Sequence, residues 1–235
     1  MEFGISGLGE TARHSGAVRP RHATDNPSPP HSRKVSDMDD TKLIHAKRIL
    51  DAGGVVVLPT DTVYGIGAKP DCPGAMRRIR QIKGRPADKP IALLAADREA
   101  VEAFGATLPP AALRLAEAFW AGALTLVLPC GEREEGFRVP DLDLTRQLLK
   151  ACGGVLRVTS ANLSGQMPAR SAVEALRDVG LEADLVIDGG ISPGGVASTV
   201  VRVAPDNTLT ILREGAIPED RIRAVVGESG SVVVR

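Results

Sequence analysis

Val55-Val-Val-Leu58 is an unbroken apolar run that empties directly into Pro59-Thr-Asp-Thr-Val-Tyr-Gly-Ile-Gly67. A short β-branched run bounded by turn residues reads as a buried strand. Beyond it lies a loop of hydroxyls and one carboxylate. The same design recurs downstream, where 155–158 is apolar and leads into Thr159-Ser-Ala-Asn-Leu-Ser-Gly165. Between them, Lys83-Gly-Arg-Pro-Ala-Asp-Lys-Pro90 sets two cations two residues apart on a Gly/Pro loop. Polar loops at strand ends are where α/β sheets bind ligands, so the three loops are expected to form one site for a small anionic molecule.

Working outward, strands are expected over 55–58, 91–95, 124–128, 155–158, 185–187, 198–203 and 208–212. Helices are expected from Asp39 or Asp40 to Gly53, from Pro73, near 97–104 and 109–119, over 142–152, from the Ser171-x-x-Glu174 capping box to about Val179, and over 217–226. Asp206-Asn207 predicts a turn joining an antiparallel pair. Early alternation of strand and helix with a late hairpin predicts a single α/β domain over 38–227, with a twisted mixed parallel/antiparallel sheet and flanking helices. Residues 1–37 are rich in Pro, Ser, His and Arg without apolar period and read as a disordered tail. Residues 228–235 read as a C-terminal tail.

Composition narrows the chemistry. The chain has 235 residues, 43% of them hydrophobic, enough for one sizeable core. Lys+Arg and Asp+Glu are both 29, so no global field draws nucleic acid or an anionic membrane. Cys72, Cys130 and Cys152 stand far apart, which suggests neither a disulfide framework nor a thiolate metal site. His14, His22 and His31 lie in the tail, leaving His45 for the folded body. A Ser-His-Asp triad or multi-histidine metal site is thereby disfavoured, and no protein-held metal is expected. No apolar run approaches the roughly 18 residues of a membrane span, and the N-terminus lacks an apolar signal core. A cytoplasmic protein with reduced thiols is the expectation.

Each loop has a structural and a functional reading. Thr60, Asp61 and Thr62 either satisfy turn amides or, with Tyr64, bind a small polar molecule such as an amino acid; Gly65 and Gly67 would then let a ligand approach the backbone. Lys83 and Arg85 either complement a helix C-terminus or clamp phosphate, Lys as a point charge and Arg as a fork, with Lys89 a third cation. Ser160 and Asn162 either cap a helix or hold a nucleotide phosphate or ribose. Gly-rich segments lead to Ser198-Thr199 on the same side, and Arg213 ends the hairpin as a further phosphate contact. No P-loop or dinucleotide-binding glycine pattern is present.

These motifs resemble the YrdC-like family of threonylcarbamoyl-AMP synthases. The matching pieces are PTDTVYGIGA at 59–68, KGRPADKPI at 83–91, FWAGALTLVLP at 119–129, RVP at 138–140, TSANLSGQMPA at 159–169, IDGG at 187–190, GGVASTVVRV at 194–203 and ILREGAI at 211–217. The resemblance implies a nucleotidyltransferase of the short form, without an extra C-terminal domain. It would make threonylcarbamoyl-adenylate and pyrophosphate from L-threonine, bicarbonate and ATP, with Mg²⁺ travelling with ATP. A tRNA-modifying threonylcarbamoyl transferase complex would take the product. It implies Lys83 and Arg85 as catalytic residues, ATP contacts at Lys83, Arg85, Lys89, Ser160, Asn162 and Arg213, and threonine contacts at Thr60, Thr62, Tyr64, Arg138, Ser198 and Thr199. The chain departs from the pattern at Ala121 and Ala123, where prolines are usual, and is shorter between Pro129 and Arg138, where Glu132, Glu134 and Glu135 bring charge. The alternatives are a ribosome-associated module with weak RNA binding and a catalytically impaired paralogue.

Overall fold

The computed structural model describes residues 40–227 and 232–234; the expected tail 1–37 lies outside them. In chain order the elements are α1 (Asp40–Asp51), β1 (Val56–Leu58), β2 (Gly65–Ala68), α2 (Pro73–Lys83), β3 (Leu93–Ala95), α3 (Arg98–Ala103), α4 (Pro110–Phe119), β4 (Leu124–Cys130), β5 (Arg133–Arg138), α5 (Asp143–Ala151), β6 (Val155–Ser160), α6 (Ala172–Asp178), β7 (Leu185–Val186), β8 (Thr199–Val203), β9 (Leu209–Arg213), α7 (Glu219–Val226) and β10 (Val232–Val234). The strands form one mixed sheet in the order β10-β9-β8-β4-β5-β3-β6-β2-β1-β7. Pairs β1–β7, β3–β5, β4–β8 and β9–β10 are parallel, and the others are antiparallel, including the expected β8–β9 hairpin. No helix among the described residues is long and apolar enough to cross a membrane.

Side-chain alternation explains how this sheet makes room for a site. On β4, Leu124, Leu126 and Leu128 point into a core closed by Ala112 and Leu115 of α4 and Ile222 of α7. The intervening Thr125 and Val127 line a cavity instead. On β5, Phe137 enters the same core edge-on to Phe104, with ring centroids 5.7 Å apart, so the next residue, Arg138, faces the cavity. Burying leucines and a phenylalanine at about 1.5–3 kcal/mol each fixes that register against slippage. At the other end of the sheet both faces are covered. Val56 and Leu58 meet α1 and α5, while Val55 and Val57 meet α2 and α6. That accounts for the continuous apolar run from which the sequence is read. The Ser171 cap forms as well: its hydroxyl accepts from the Glu174 N–H (3.2 Å), while the Glu174 carboxylate accepts from the N–H of Arg170 (2.6 Å), one residue before the position a full capping box uses.

Three elements depart from the expected layout. Residues 133–138, expected as part of a polar turn, are a strand between β4 and β3. Their charges sit at the cavity rim, where a strand tolerates them. Residues 232–234, expected within a tail, pair with β9 in parallel. Gly65–Ala68, expected as loop, pairs β1 to β6. The glycines of that strand serve packing. A Cβ on Gly65 would stand 2.4 Å from Val158 Cγ1, and one on Gly67 would stand 2.7 Å from Val158 Cγ2. The space a side chain would need there belongs to Val158, and Gly65 also lines the cavity. Gly65→Ala is expected to cost about 1–3 kcal/mol by overpacking. In a Val158→Ala background the increment should shrink below about 1 kcal/mol, measured as a double-mutant cycle by denaturant unfolding.

Candidate active site

A cavity of ≈ 380 Å³ opens on the sheet face left free of helices at the β4/β5/β8 end. Thr60, Thr62, Tyr64, Arg85, Arg138, Ser160, Ser198 and Arg213 all line it, so the loops after β1, α2 and β6 converge there with β5, β8 and β9. Its floor is small and apolar, from Ala92, Val127, Gly136, Val158 and Val200.

One wall is a wired polar cluster. Arg138 is 6% exposed. Its Nε donates to the Gly122 carbonyl (3.0 Å), its Nη1 to Thr62 Oγ1 (2.7 Å), and its Nη2 to the Asp61 carboxylate. Thr60 Oγ1 spends its proton on the Val63 carbonyl (2.7 Å), so in its 3.0 Å contact with Thr62 Oγ1 the Thr62 hydroxyl is the donor. The chain Arg138–Thr62–Thr60–Val63 therefore has one consistent proton direction. The threonines satisfy turn atoms and also line the cavity. Burial lowers the Arg138 pKa, against the opposing pull of Asp61.

Arg85 and Arg213 line the same cavity. Arg85 Nη2 donates to the Pro90 carbonyl (2.8 Å), while its Nε is buried without a partner. Burial, then Arg80 and Arg213, lower its pKa; a guanidinium stays charged, so the cause to retain is a positive field. Arg213 donates through Nη2 to the Ser198 carbonyl (2.7 Å), and Ser198 Oγ lies 2.8 Å from Thr125 Oγ1. Glu135 lines the cavity as a bidentate partner of Arg157 (2.8 and 3.0 Å), and Glu134 lines it while pairing with Arg202 (2.7 Å). Thr125, Glu134 and Glu135 escape assignment in the sequence. Thr125 hides in an apolar run, where only strand alternation would single it out.

Four expected contacts lie off the cavity lining. Thr199 is 0% exposed. Its hydroxyl donates to the Ile217 carbonyl and accepts from the N–H groups of Gly215 (2.9 Å) and Ile217 (3.0 Å), which fixes the turn after Arg213. Gly215 is pressed so close that a Cβ would stand 2.3 Å from the Ala197 carbonyl oxygen. Asn162 donates to the carbonyls of Leu163 (2.9 Å) and Gln166 (2.8 Å), and its Oδ1 is buried without a partner. Lys89 is exposed on the loop. Lys83, expected on an exposed loop, is 2% exposed in the last turn of α2, and its ammonium donates to the carbonyls of Ser160 and Asn162. Tyr64 is among the lining residues, yet its side chain is buried in the core packed with α2 and α6, where its hydroxyl donates to the Gly190 carbonyl (2.7 Å) and accepts from the Gly189 N–H (3.1 Å). Among the described residues no group of three His, Cys, Asp or Glu side chains is placed to hold a metal ion.

A family model described as telomere recombination (Sua5, YciO, YrdC) matches residues 48–215, most of the chain. The chain belongs to the Sua5/YciO/YrdC family. It is 35% identical over 200 residues to the threonylcarbamoyl-AMP synthase of Bacillus subtilis, covering 80% of this chain and 58% of that protein. It is 33% identical to the threonylcarbamoyl-AMP synthase of Pyrococcus abyssi, covering 81% of this chain and 59% of that protein. The chain thus spans about three fifths of these curated relatives. The crystal structure of P. abyssi Sua5 complexed with L-threonine superposes with a TM-score of 0.78 at 32% identity, over 85% of this chain and 61% of that one. E. coli YciO superposes with a TM-score of 0.69 at 28% identity, over 78% of this chain and 94% of that one.

Proposed function

We propose that the chain is an L-threonylcarbamoyladenylate synthase, joining L-threonine, bicarbonate and ATP with release of pyrophosphate. The observation that carries this reading is the convergence of three cations on one cavity: Arg138, wired to Thr62 and Thr60, lines it together with Arg85 and Arg213. A carboxylate and a phosphate chain would each find a cation beside an apolar floor. The name threonylcarbamoyl-AMP synthase on the relatives, and the L-threonine in the P. abyssi structure, support it.

In this reading the threonine carboxylate meets Arg138, and its side chain meets Thr62 and Ser198. The amine and bicarbonate give a carbamate and water. The carbamate oxygen then attacks the α-phosphorus, the Pα–O bond to the β-phosphate breaks, and pyrophosphate leaves. Charge builds on the leaving group, where Arg85 and Arg213 supply fixed positive charge. Positioning and electrostatics carry most of such a transfer, so the site needs no histidine base. His45, the histidine of the described residues, is exposed on α1. Mg²⁺ enters with ATP as part of the substrate. The product goes to a threonylcarbamoyl transferase complex that modifies tRNA, and the setting is the cytoplasm.

The test is adenylate formation from ATP with and without L-threonine and bicarbonate. A product requiring both supports the synthase. ATP binding without product, under any order of addition, would replace it with the impaired paralogue. Tight, steeply salt-dependent tRNA binding in the absence of ATP would favour the RNA-binding module.

A pH dependence arises from Lys83. Burial, with Arg85 adding, brings its pKa from 10.5 down to about 8. Between those values the unfolded chain holds the proton and the native chain does not, so this group adds stability as pH rises. Function moves the other way, because above pH 8 the two loop carbonyls lose a charged donor. kcat/KM for ATP is therefore expected to fall with a midpoint near 8 while the unfolding free energy contributed by this group rises. A profile flat to pH 9.5, measured alongside denaturant melts, would remove Lys83 from that role.

A further inference from the structure

We propose that Lys83 is a positioning residue: its ammonium holds the backbone carbonyls of Ser160 and Asn162, and so sets the path of the chain as it leaves β6 at Ser160, on the cavity wall. Cation motifs on Gly/Pro loops invite the opposite reading, in which both cations touch phosphate. The geometry divides them. Arg85 lines the cavity; Lys83 lies behind the lining at 2% exposure.

The loop is gripped by Lys83 from both its side chain and its main chain. Nζ donates to the carbonyls of residues 160 and 162, committing two of its three protons. The Lys83 carbonyl accepts from the Ser164 N–H (2.9 Å). The anchor itself is rigid, because Lys83 belongs to α2 and the helix closes immediately after it at Gly84, in the left-handed conformation (φ 57°), whose N–H returns to Arg80 and Gln81. The loop is also braced from within. Asn162 bridges the carbonyls of Leu163 and Gln166, and the Ala161 N–H donates to the Tyr64 carbonyl (2.8 Å). Two carbonyl dipoles converging on one point repel each other unless a cation stands between them. The ammonium supplies that cation through charge-assisted bonds. The exit of β6 is thus held by its pairing with β2 and by contacts that begin at a helix end, none of them passing through the ligand.

The first test needs no ligand. In the full-length protein, Lys83→Met is expected to speed hydrogen exchange of the amides of Ala161, Ser164 and Gln166 at least tenfold, with residues 133–138 unchanged. Lys83→Gln, which keeps a neutral donor, should restore part of the protection. Unchanged exchange in the ligand-free Met variant would overturn the proposal. The second test rests on the nucleotide reading above and compares adenosine with ATP. Lys83→Met should weaken both by the same factor, whereas Arg85→Ala should weaken ATP and spare adenosine. A Met variant that loses ATP and keeps adenosine would put Lys83 on the phosphates and overturn the proposal. KM for threonine should stay within twofold in either case. If wild-type protein binds neither adenosine nor ATP, the nucleotide reading fails while the exchange result still decides Lys83. Should the Met variant not fold, the Gln variant carries both readouts, with the same overturning results.

Discussion

Arg138→Ala is expected to abolish threonine-dependent adenylate formation and to cost about 3–5 kcal/mol of stability, the loss typical of breaking a buried ion pair by removing one partner. The Arg138 and Asp61 side chains are 8% and 12% exposed, so truncation strands a carboxylate with little water to receive it. It also releases the Gly122 carbonyl and the Thr62 hydroxyl, which Arg138 binds at 3.0 and 2.7 Å. Lysine keeps the charge but offers one compact ammonium where three diverging donors are needed. Arg138→Lys should therefore recover part of the stability and little of the turnover, with a deficit of about 10²-fold or more from misplacing the threonine loop. Denaturant unfolding and pyrophosphate release from the same preparations would check both. An alanine variant within 1 kcal/mol of wild type would show that Asp61 finds another partner and that the cluster is less coupled than its geometry implies.

The second large effect separates binding from folding. Arg85→Ala is expected to lower adenylate formation by about 10²–10³-fold, the size seen when one preorganised donor to a developing charge is lost. Stability should stay within about 0.5 kcal/mol, as for surface substitutions away from core features. The side chain is partly exposed, its one protein bond runs to the Pro90 carbonyl (2.8 Å), and its Nε is buried without a partner. It thus contributes little to the fold and retains an uncommitted donor in the cavity wall. Arg85→Lys should recover less than a tenth of the loss, because a fork is replaced by a point. A fall in stability as large as the fall in activity would instead make Arg85 a builder of the 84–90 loop.

Much of this site is legible in the sequence because its polar groups sit where apolar runs stop. The hydroxyls after Leu58 and after Val158, and Arg213 at the end of the hairpin, all line the cavity. The class of fold is legible for the same reason, through runs whose lengths and turns fix strand and helix alternation. Direction is what escapes. Nothing in Lys83-Gly-Arg85 says that one cation turns outward and the other inward; that depends on the helix ending one residue after the lysine. Ser198 and Thr199 are likewise neighbours where β8 begins, and one faces the cavity while the other holds a turn. Gly65 and Gly67 mark a close approach in the sequence, and only the register of β2 on β6 shows that Val158 makes it; Gly65 lines the cavity besides. The Glu-rich 132–135 segment reads as a turn because a strand's polar edge and a turn share a composition.

The order of the strands has a consequence for how the protein is made. β1 pairs with β7, and an early backbone amide, Val55, is held by the carboxylate of Asp184, 129 residues later. β4 waits for β8, and the cavity is not closed until Arg213 of β9 arrives. Such separations place the domain among the slow, high-contact-order folders. On a ribosome, most of the chain must emerge before the residues that line the cavity exist together. A chain ending before the last hairpin lacks Val200 and Arg213, and with them one part of the lining.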